Sequence, residues 1–311
     1  MSGDDVVRVK GGVPGASIEV GIGRELPRVL ARLFPTRAAK AQARHLVSGE
    51  ILRKVHVGEA LTDADAEYAA TVLWDAEARW IRRTEIAIRA ARIIDQDSPP
   101  ELVAGSAEED AATSEDWITR FWDDAELVSD SVLQEMYAQV LAGEARLPGR
   151  SSLRTLRVMR YLDRETAEMF GRLAPAVFDS KWIPRDDRLL SVFDLSFGLI
   201  LELDDAGLIK AGSSIQWNVD EDPAFSRSGT RIISLENTKE LSFDIYPLTK
   251  PGEELARVVN AQHKEEQFLE VARWMTMGRA DLKASWAELP SPDYEGPRSS
   301  LEWIPLYPGS A

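Results

Sequence analysis

The sequence predicts a mainly α-helical protein: a helical array with long N-terminal helices, followed by a small α+β module of winged-helix character. Three observations predict it. An apolar stripe of helical period runs from Tyr68 to Ile94, two aromatic-rich amphipathic segments are closed by Pro148-Gly149, and beyond Gly207 the apolar period drops from near four to two.

Residues 1–23 are rich in Gly and read as a flexible leader, with one alternating piece, Ser17 to Val20, that suits a short edge strand. The G-I-G of Gly21 to Gly23 lacks the third Gly of a dinucleotide loop and the G-K-[ST] of a P-loop, so a phosphate role is disfavoured. Residues 24–100 are expected to hold a basic helix and a long helix. Leu26, Leu30, Leu33 and Phe34 fall at helical spacing, while Arg24, Arg28 and Arg32 repeat every fourth residue on another face. With Arg37, Lys40, Arg44, Arg53 and Lys54 they form a basic island in a chain of net charge −15. Such an island docks on anionic lipid, on nucleic acid, or on acidic surface of the same protein or a second copy, and the acidic excess elsewhere favours the last.

The long helix is expected over Thr62–Asp97, from a Thr62/Asp65 capping-box variant to the stop at Pro99-Pro100. Its stripe comprises Tyr68, Val72, Ala76, Trp80, Ala87, Ala91 and Ile94, and the alanines suit close helix packing in a hairpin or an oligomer. Residues 101–112 read as an acidic linker.

Residues 113–180 form the most highly specified region, a compact helical array. Trp117, Ile118, Phe121, Trp122, Ala125 and Val128 make the apolar face of its first helix. Ser129-Asp130-Ser131 breaks and restarts the chain, with Ser131 and Gln134 as a capping box. Leu133, Met136, Tyr137, Val140 and Leu141 continue the face; Ala138, Ala142 and Gly143 lie to one side, where another backbone can approach closely. Ser151 or Ser152 caps a third helix and Asp163 a fourth.

Residues 187–261 supply the winged-helix pattern: a helix over Ser191–Leu203 stopped by Gly207, short strands around Trp217, Ile233 and Phe243, then a helix opened by L-T-x-x-G at Leu248 to Gly252. Residues 262–311 read as a C-terminal helix containing Phe268, Val271 and Met275, and a Pro/Ser tail with Trp303 and Tyr307.

Composition narrows the function. Cysteine is absent, which excludes disulfides and thiolate chemistry, and three histidines make a histidine-rich metal site improbable. The net charge opposes nucleic-acid binding outside the basic island. No apolar run has the length of a membrane span and no signal peptide opens the chain, so a cytoplasmic location is expected. No motif for a cofactor or a serine nucleophile is present, and no cofactor is expected. Adjacent carboxylates such as Asp123-Asp124 point to different faces of a helix and read as solvated surface. The residues left with chemical interest are Asp130 and Glu144, which flank an apolar helix, and Arg154, placed to bind a phosphate at a helix N-terminus or to pair with Glu144. The helix over Ser191–Leu203 carries Asp194 and Glu202 and no base, so it suits protein contact rather than DNA.

The order D-W, F-W, V-S-D, Q, L-A-G-E, P-G, S-x-R-T-L is borne by Asp116, Trp117, Phe121, Trp122, Ser129, Asp130, Gln134, Leu141 to Glu144, Pro148, Gly149, Ser152 and Arg154 to Leu156. It resembles a bacterial family known as a domain of unknown function, distantly similar to abortive-infection alpha-type proteins. That resemblance implies a fold and a setting in defence against phage. The expected function is a non-enzymatic interaction or sensor protein, self-associating into a homo-oligomer or binding an unidentified protein partner. The alternatives are a nucleic-acid or anionic-membrane-surface binder using residues 24–54, and an enzyme with an unrecognised carboxylate/arginine site.

Overall fold

The computed structural model describes residues 7–10, 17–20, 63–97, 113–212, 215–238, 241–259, 264–279, 281–291 and 294–306. The chain forms two compact units, each discontinuous in sequence. Residues 1–129 with 144–148 make the first and residues 130–143 with 149–311 the second.

In the first unit, β1 (Val7–Lys10) and β2 (Ser17–Val20) pair antiparallel, with Val7 opposite Val20. The alternating piece read in the leader is thus one arm of a hairpin. The long helix α1 spans Asp63–Asp97, 35 residues. Ala87 and Ala91 of the expected stripe are buried, joined by Ile86 and Ala90 in the adjoining row. The small residues are what let this part of α1 be enclosed. Helix α2 (Glu115–Ala125) starts where Ser114 accepts the Trp117 N–H, and Glu115 and Asp116 complement its first turn. It buries Trp117, Phe121, Trp122 and Ala125. Trp117 stacks on Phe121 with ring centroids 5.0 Å apart, and Phe121 meets Trp122 edge-on.

Helix α3 (Ser131–Arg146) gives its first part to the second unit and Glu144 onward to the first. The second unit continues with α4 (Leu153–Met159), α5 (Arg164–Leu173) and a 3-10 turn at Ala174–Ala176. Ser152 caps α4 and Asp163 caps α5, accepting the Thr166 N–H at 2.8 Å as the sequence predicts. Then come β3 (Trp182–Pro184), α6 (Asp187–Val192), α7 (Phe197–Asp205), β4 (Ile215–Asn218), β5 (Ala224–Ser228), β6 (Arg231–Glu236) and β7 (Ser242–Pro247). Helices α8 (Lys250–Ala256) and α9 (Glu265–Thr276) precede β8 (Lys283–Glu288) and β9 (Ile304–Leu306).

The expectation of a mainly α protein is overturned: the fold is mixed α+β. One antiparallel sheet runs β3-β7-β4 and another β5-β6-β8-β9. The single small sheet of a winged helix is not what forms, because β5 and β6 pair with each other and β6 with β8, in a sheet apart from β4 and β7. The added strands lack a readable period. All three residues of β3 are buried, and β8 buries Ala284, Trp286 and Ala287, so burial does not alternate. The predicted helix over Ser191–Leu203 is also corrected. Asp186 caps α6, Asp194 turns the chain in the left-handed region at φ 55°, and Ser196 caps α7. What was read as a Pro/Ser tail carries β9, and Trp303 packs with Phe225 and Tyr294 against Ile232, Ala287 and Leu289.

The G-L-I and L-T-x-x-G elements meet. Gly207, at φ 76°, ends α7 as predicted, and Ile209 bridges Leu248. The Thr249 N–H donates to the Leu208 carbonyl at 3.0 Å. Its hydroxyl donates to the Gly207 carbonyl at 2.5 Å and accepts the Gly252 N–H at 3.2 Å, so one side chain caps α8 and holds the end of α7. A Cβ at Gly252 would lie 2.0 Å from the Leu208 oxygen. Gly252→Ala therefore has to separate two backbones and should destabilise by about 3 kcal/mol. Gly171→Ala, inside α5 with open space around it, should stabilise by about 0.5–1 kcal/mol. Thermal unfolding of the two variants checks the contrast; equal melting temperatures would contradict it.

Candidate functional site

The charged residues of the signature region are best described unit by unit. In the first, Glu126 follows the last residue of α2 and is nearly buried. Its Oε1 accepts Arg79 Nη1 at 2.9 Å, its Oε2 pairs with Arg83, and its carbonyl accepts Arg82 Nη1 at 3.2 Å. Three arginines from one turn of α1 thus converge on the end of α2, where the last carbonyls lack helical partners. Arg83 also lies 5.8 Å from the Trp122 ring centroid. Hydrogen bonding to Glu126, ahead of the charge of Asp75, raises the Arg79 pKa further above the ordinary arginine value. The sequence reading did not single out Glu126. Its available signal was the grouping of Arg79, Arg82 and Arg83 beside the apolar stripe. Trp117, Phe121 and Trp122 are core residues beside this cluster, and Glu144 is buried at 1% exposure in the last turn of α3.

Removing the Glu126 carboxylate leaves Arg83 short of its partner in a poorly solvated place. Glu126→Ala should destabilise by about 3 kcal/mol, near the lower end for one half of a buried pair, since Arg79 keeps Asp75 at 2.8 Å. Denaturant unfolding measures this, and a shift of a few tenths of a kcal/mol would count against the cluster as a fastener.

In the second unit, Asp130 caps α3: its Oδ1 accepts the N–H groups of Val132 at 2.8 Å and Leu133 at 3.3 Å. This corrects the expected Ser131 cap, since Ser131 is already helical. The free side of Asp130 faces Arg164 Nη1 at 3.4 Å. Gln134 is buried and its N–H donates to the Asp130 carbonyl at 2.9 Å. At Gly143 a Cβ would lie 2.6 Å from Val258 Cγ1, so the close approach predicted for the small-residue side is made by a valine side chain rather than a backbone.

The N-terminus of α4 holds an anion of the protein's own. Glu254, 4% exposed, accepts the Ser152 N–H and the Thr155 hydroxyl, both at 2.6 Å. Lys250 Nζ stands 3.6 Å from its other oxygen. Arg154 is exposed, and the place its reading as a phosphate ligand requires is filled by Glu254. Glu254 lies 102 residues from Ser152, too far for any local pattern to announce it. Burial, the largest influence, works to raise its pKa, but the hydrogen bonds from Thr155 and Ser152 and the charge of Lys250 outweigh it, and the carboxyl is held below its ordinary value.

A second carboxylate, the part-buried Asp179, is pushed the other way. Burial raises Asp179 above the usual aspartate value, against hydrogen bonds from Ser226 and Arg227. Asp179 and Ser180 both lie in the left-handed region, at φ 52° and 56°. Oδ2 of Asp179 accepts the Ser226 hydroxyl at 2.7 Å and Oδ1 the Arg227 N–H at 2.9 Å, while its own N–H donates to the Arg227 carbonyl at 2.8 Å. The turn thereby covers the outer edge of β5.

A depressed carboxylate stabilises the folded state above its unfolded pKa, and that contribution is lost as pH falls through the folded value. Glu254→Gln should lower stability at neutral pH by about 2 kcal/mol, as expected for hydrogen bonds to a charged group. It should also flatten the loss of stability below the ordinary glutamate range. Unfolding free energies measured from pH 7 downward check both; a variant whose acid limb parallels the wild type would contradict the assignment.

Arg24, Arg28, Arg32, Arg37, Lys40 and Arg44 lie outside the described residues. Among the described residues no group of three or more His, Cys, Asp or Glu side chains is placed to hold a metal, and no helix is long and apolar enough to cross a membrane. Asp130, Arg164 and Glu254 define helix-end fasteners.

Residues 101–191 match the family model described as Protein of unknown function (DUF2806). The match runs from ahead of α2 through β3 and into α6, and supports the resemblance to a domain-of-unknown-function family. No curated protein and no solved structure matches the chain.

Proposed function

We propose that the chain is a non-enzymatic interaction protein of the bacterial cytoplasm that self-associates, working in defence against phage. What supports the reading is how the charges and the large apolar side chains are divided. Asp130, Glu126 and Glu254 are tied into helix ends and ion pairs. Large apolar side chains stand in solvent, Trp74 of α1 at 73% exposure and Leu127 in the first unit, Phe197 and Leu201 of α7 in the second. Apolar groups displayed on helices are what a protein partner covers. The defence setting rests on the distant similarity of the signature to abortive-infection alpha-type proteins.

Sedimentation velocity across micromolar concentrations should show a mass that rises with concentration. A monomer throughout that range sinks the self-association. Cells expressing the chain should give fewer phage plaques than cells without it, and equal plaque counts remove the defence setting.

A further inference from the structure

We infer that the outer face of α7 is the docking surface for the basic amphipathic segment around Arg24–Phe34 of a second copy of this chain, an inference that rests on the self-association proposed above. The inner face of α7 is anchored by Ile200 and Leu203, both fully buried. The outer face carries Phe197 and Leu201 four residues apart, 51% and 44% exposed, with Asp205 four residues further on. Glu202 is exposed in the adjoining row, and exposed Asp194 sits just ahead of the helix. Two large apolar groups are therefore flanked along the chain by exposed acids.

The acids stand where the helix itself disfavours them. Glu202, Asp204 and Asp205 occupy the C-terminal end of α7, whose last turn holds no base. The partial negative charge of a helix C-terminus repels carboxylates and attracts cations. Their placement is relieved by a cationic partner, and the exposed apolar pair calls for an apolar stripe on that same partner.

This chain carries such a stripe and such charges in one short segment. Leu26, Val29, Leu30, Leu33 and Phe34 recur at three- and four-residue steps, with Arg24, Arg28 and Arg32 on another face. Pro27 suits a first helical turn and Pro35 bounds the segment, so its sequence specifies about two turns, close to the length of α7. Apolar stripe on apolar pair and arginine on carboxylate is the pattern by which an amphipathic helix is recognised on a complementary face. Between two copies the contact can be made twice by a twofold axis, which gives a closed dimer.

The test is charge reversal with rescue on the full chain. E202K/D205K reverses two exposed charges of α7 and R28E/R32E two charges of the basic segment, and far-UV circular dichroism confirms that each variant folds. In sedimentation velocity at low salt the wild type should associate, and more weakly at high salt. Each reversed variant alone should associate about tenfold or more weakly, as lost charge complementarity predicts. An equimolar mixture of the two should recover association to near the wild-type level. Phe197→Ala should weaken association without changing its salt dependence. A wild type that stays monomeric overturns the proposed self-association itself. A wild type that associates, with reversed variants that associate equally well or a mixture that fails to recover, overturns this docking surface and leaves self-association standing.

Discussion

The second unit is organised around a place where two backbones touch with nothing between them. Leu208 and Gly252 approach so closely that even a methyl group on the glycine would overlap the carbonyl oxygen. Thr249 makes the approach tolerable, because its hydroxyl and N–H take up the two carbonyls that the end of α7 presents. Leu203, Leu208 and Leu255 close around this junction with no exposed surface. Ile209 and Leu248, bridged beside it, set where β7 ends and α8 begins. The spacing of sheet, α7 and α8 is therefore governed by a hydrogen-bonded contact and the absence of one side chain, rather than by bulk apolar area.

Charge does similar work at the helix ends. Glu126 at the end of α2, Asp130 ahead of α3 and Glu254 at the start of α4 each meet polar backbone or guanidinium groups that would otherwise lie poorly solvated. Glu254, which is buried, and Asp179, which is part-buried, show two carboxylates shifted in opposite directions. Both are desolvated and both accept a hydroxyl and a backbone N–H. For Glu254 the hydrogen bonds from Thr155 and Ser152, with the charge of Lys250, outweigh burial and favour the anion. For Asp179 burial dominates, and the proton is held more tightly.

Legibility in the sequence followed the range of the interaction. The long helix, the stop at Gly207, the cap at Asp163 and the buried aromatic face of α2 all depend on neighbours within one or two turns, and each could be read from spacing. The cap at Asp130 was displaced by one residue, because three consecutive polar residues compete for the position. The two sheets were mostly hidden. Strand β3 is three residues long and buried throughout, and β8 is built on alanine and serine beside one tryptophan, so neither shows a two-residue period. The candidate site failed for the same reason. Arg154 and Ser152 look like an anion site when only their own helix is considered, and the carboxylate that fills it comes from α8.

That same carboxylate bears on what the matched segment is. Residues 101–191 fall partly in one unit and partly in the other, and they end before the residues that complete them. Within that span β3 has its pairing partner in β7, and the first turn of α4 has its anion in α8. In this chain the matched span is thus a fragment of an architecture: the strand that lies against β3 and the acid that meets the open N–H groups of α4 both come from residues beyond its end.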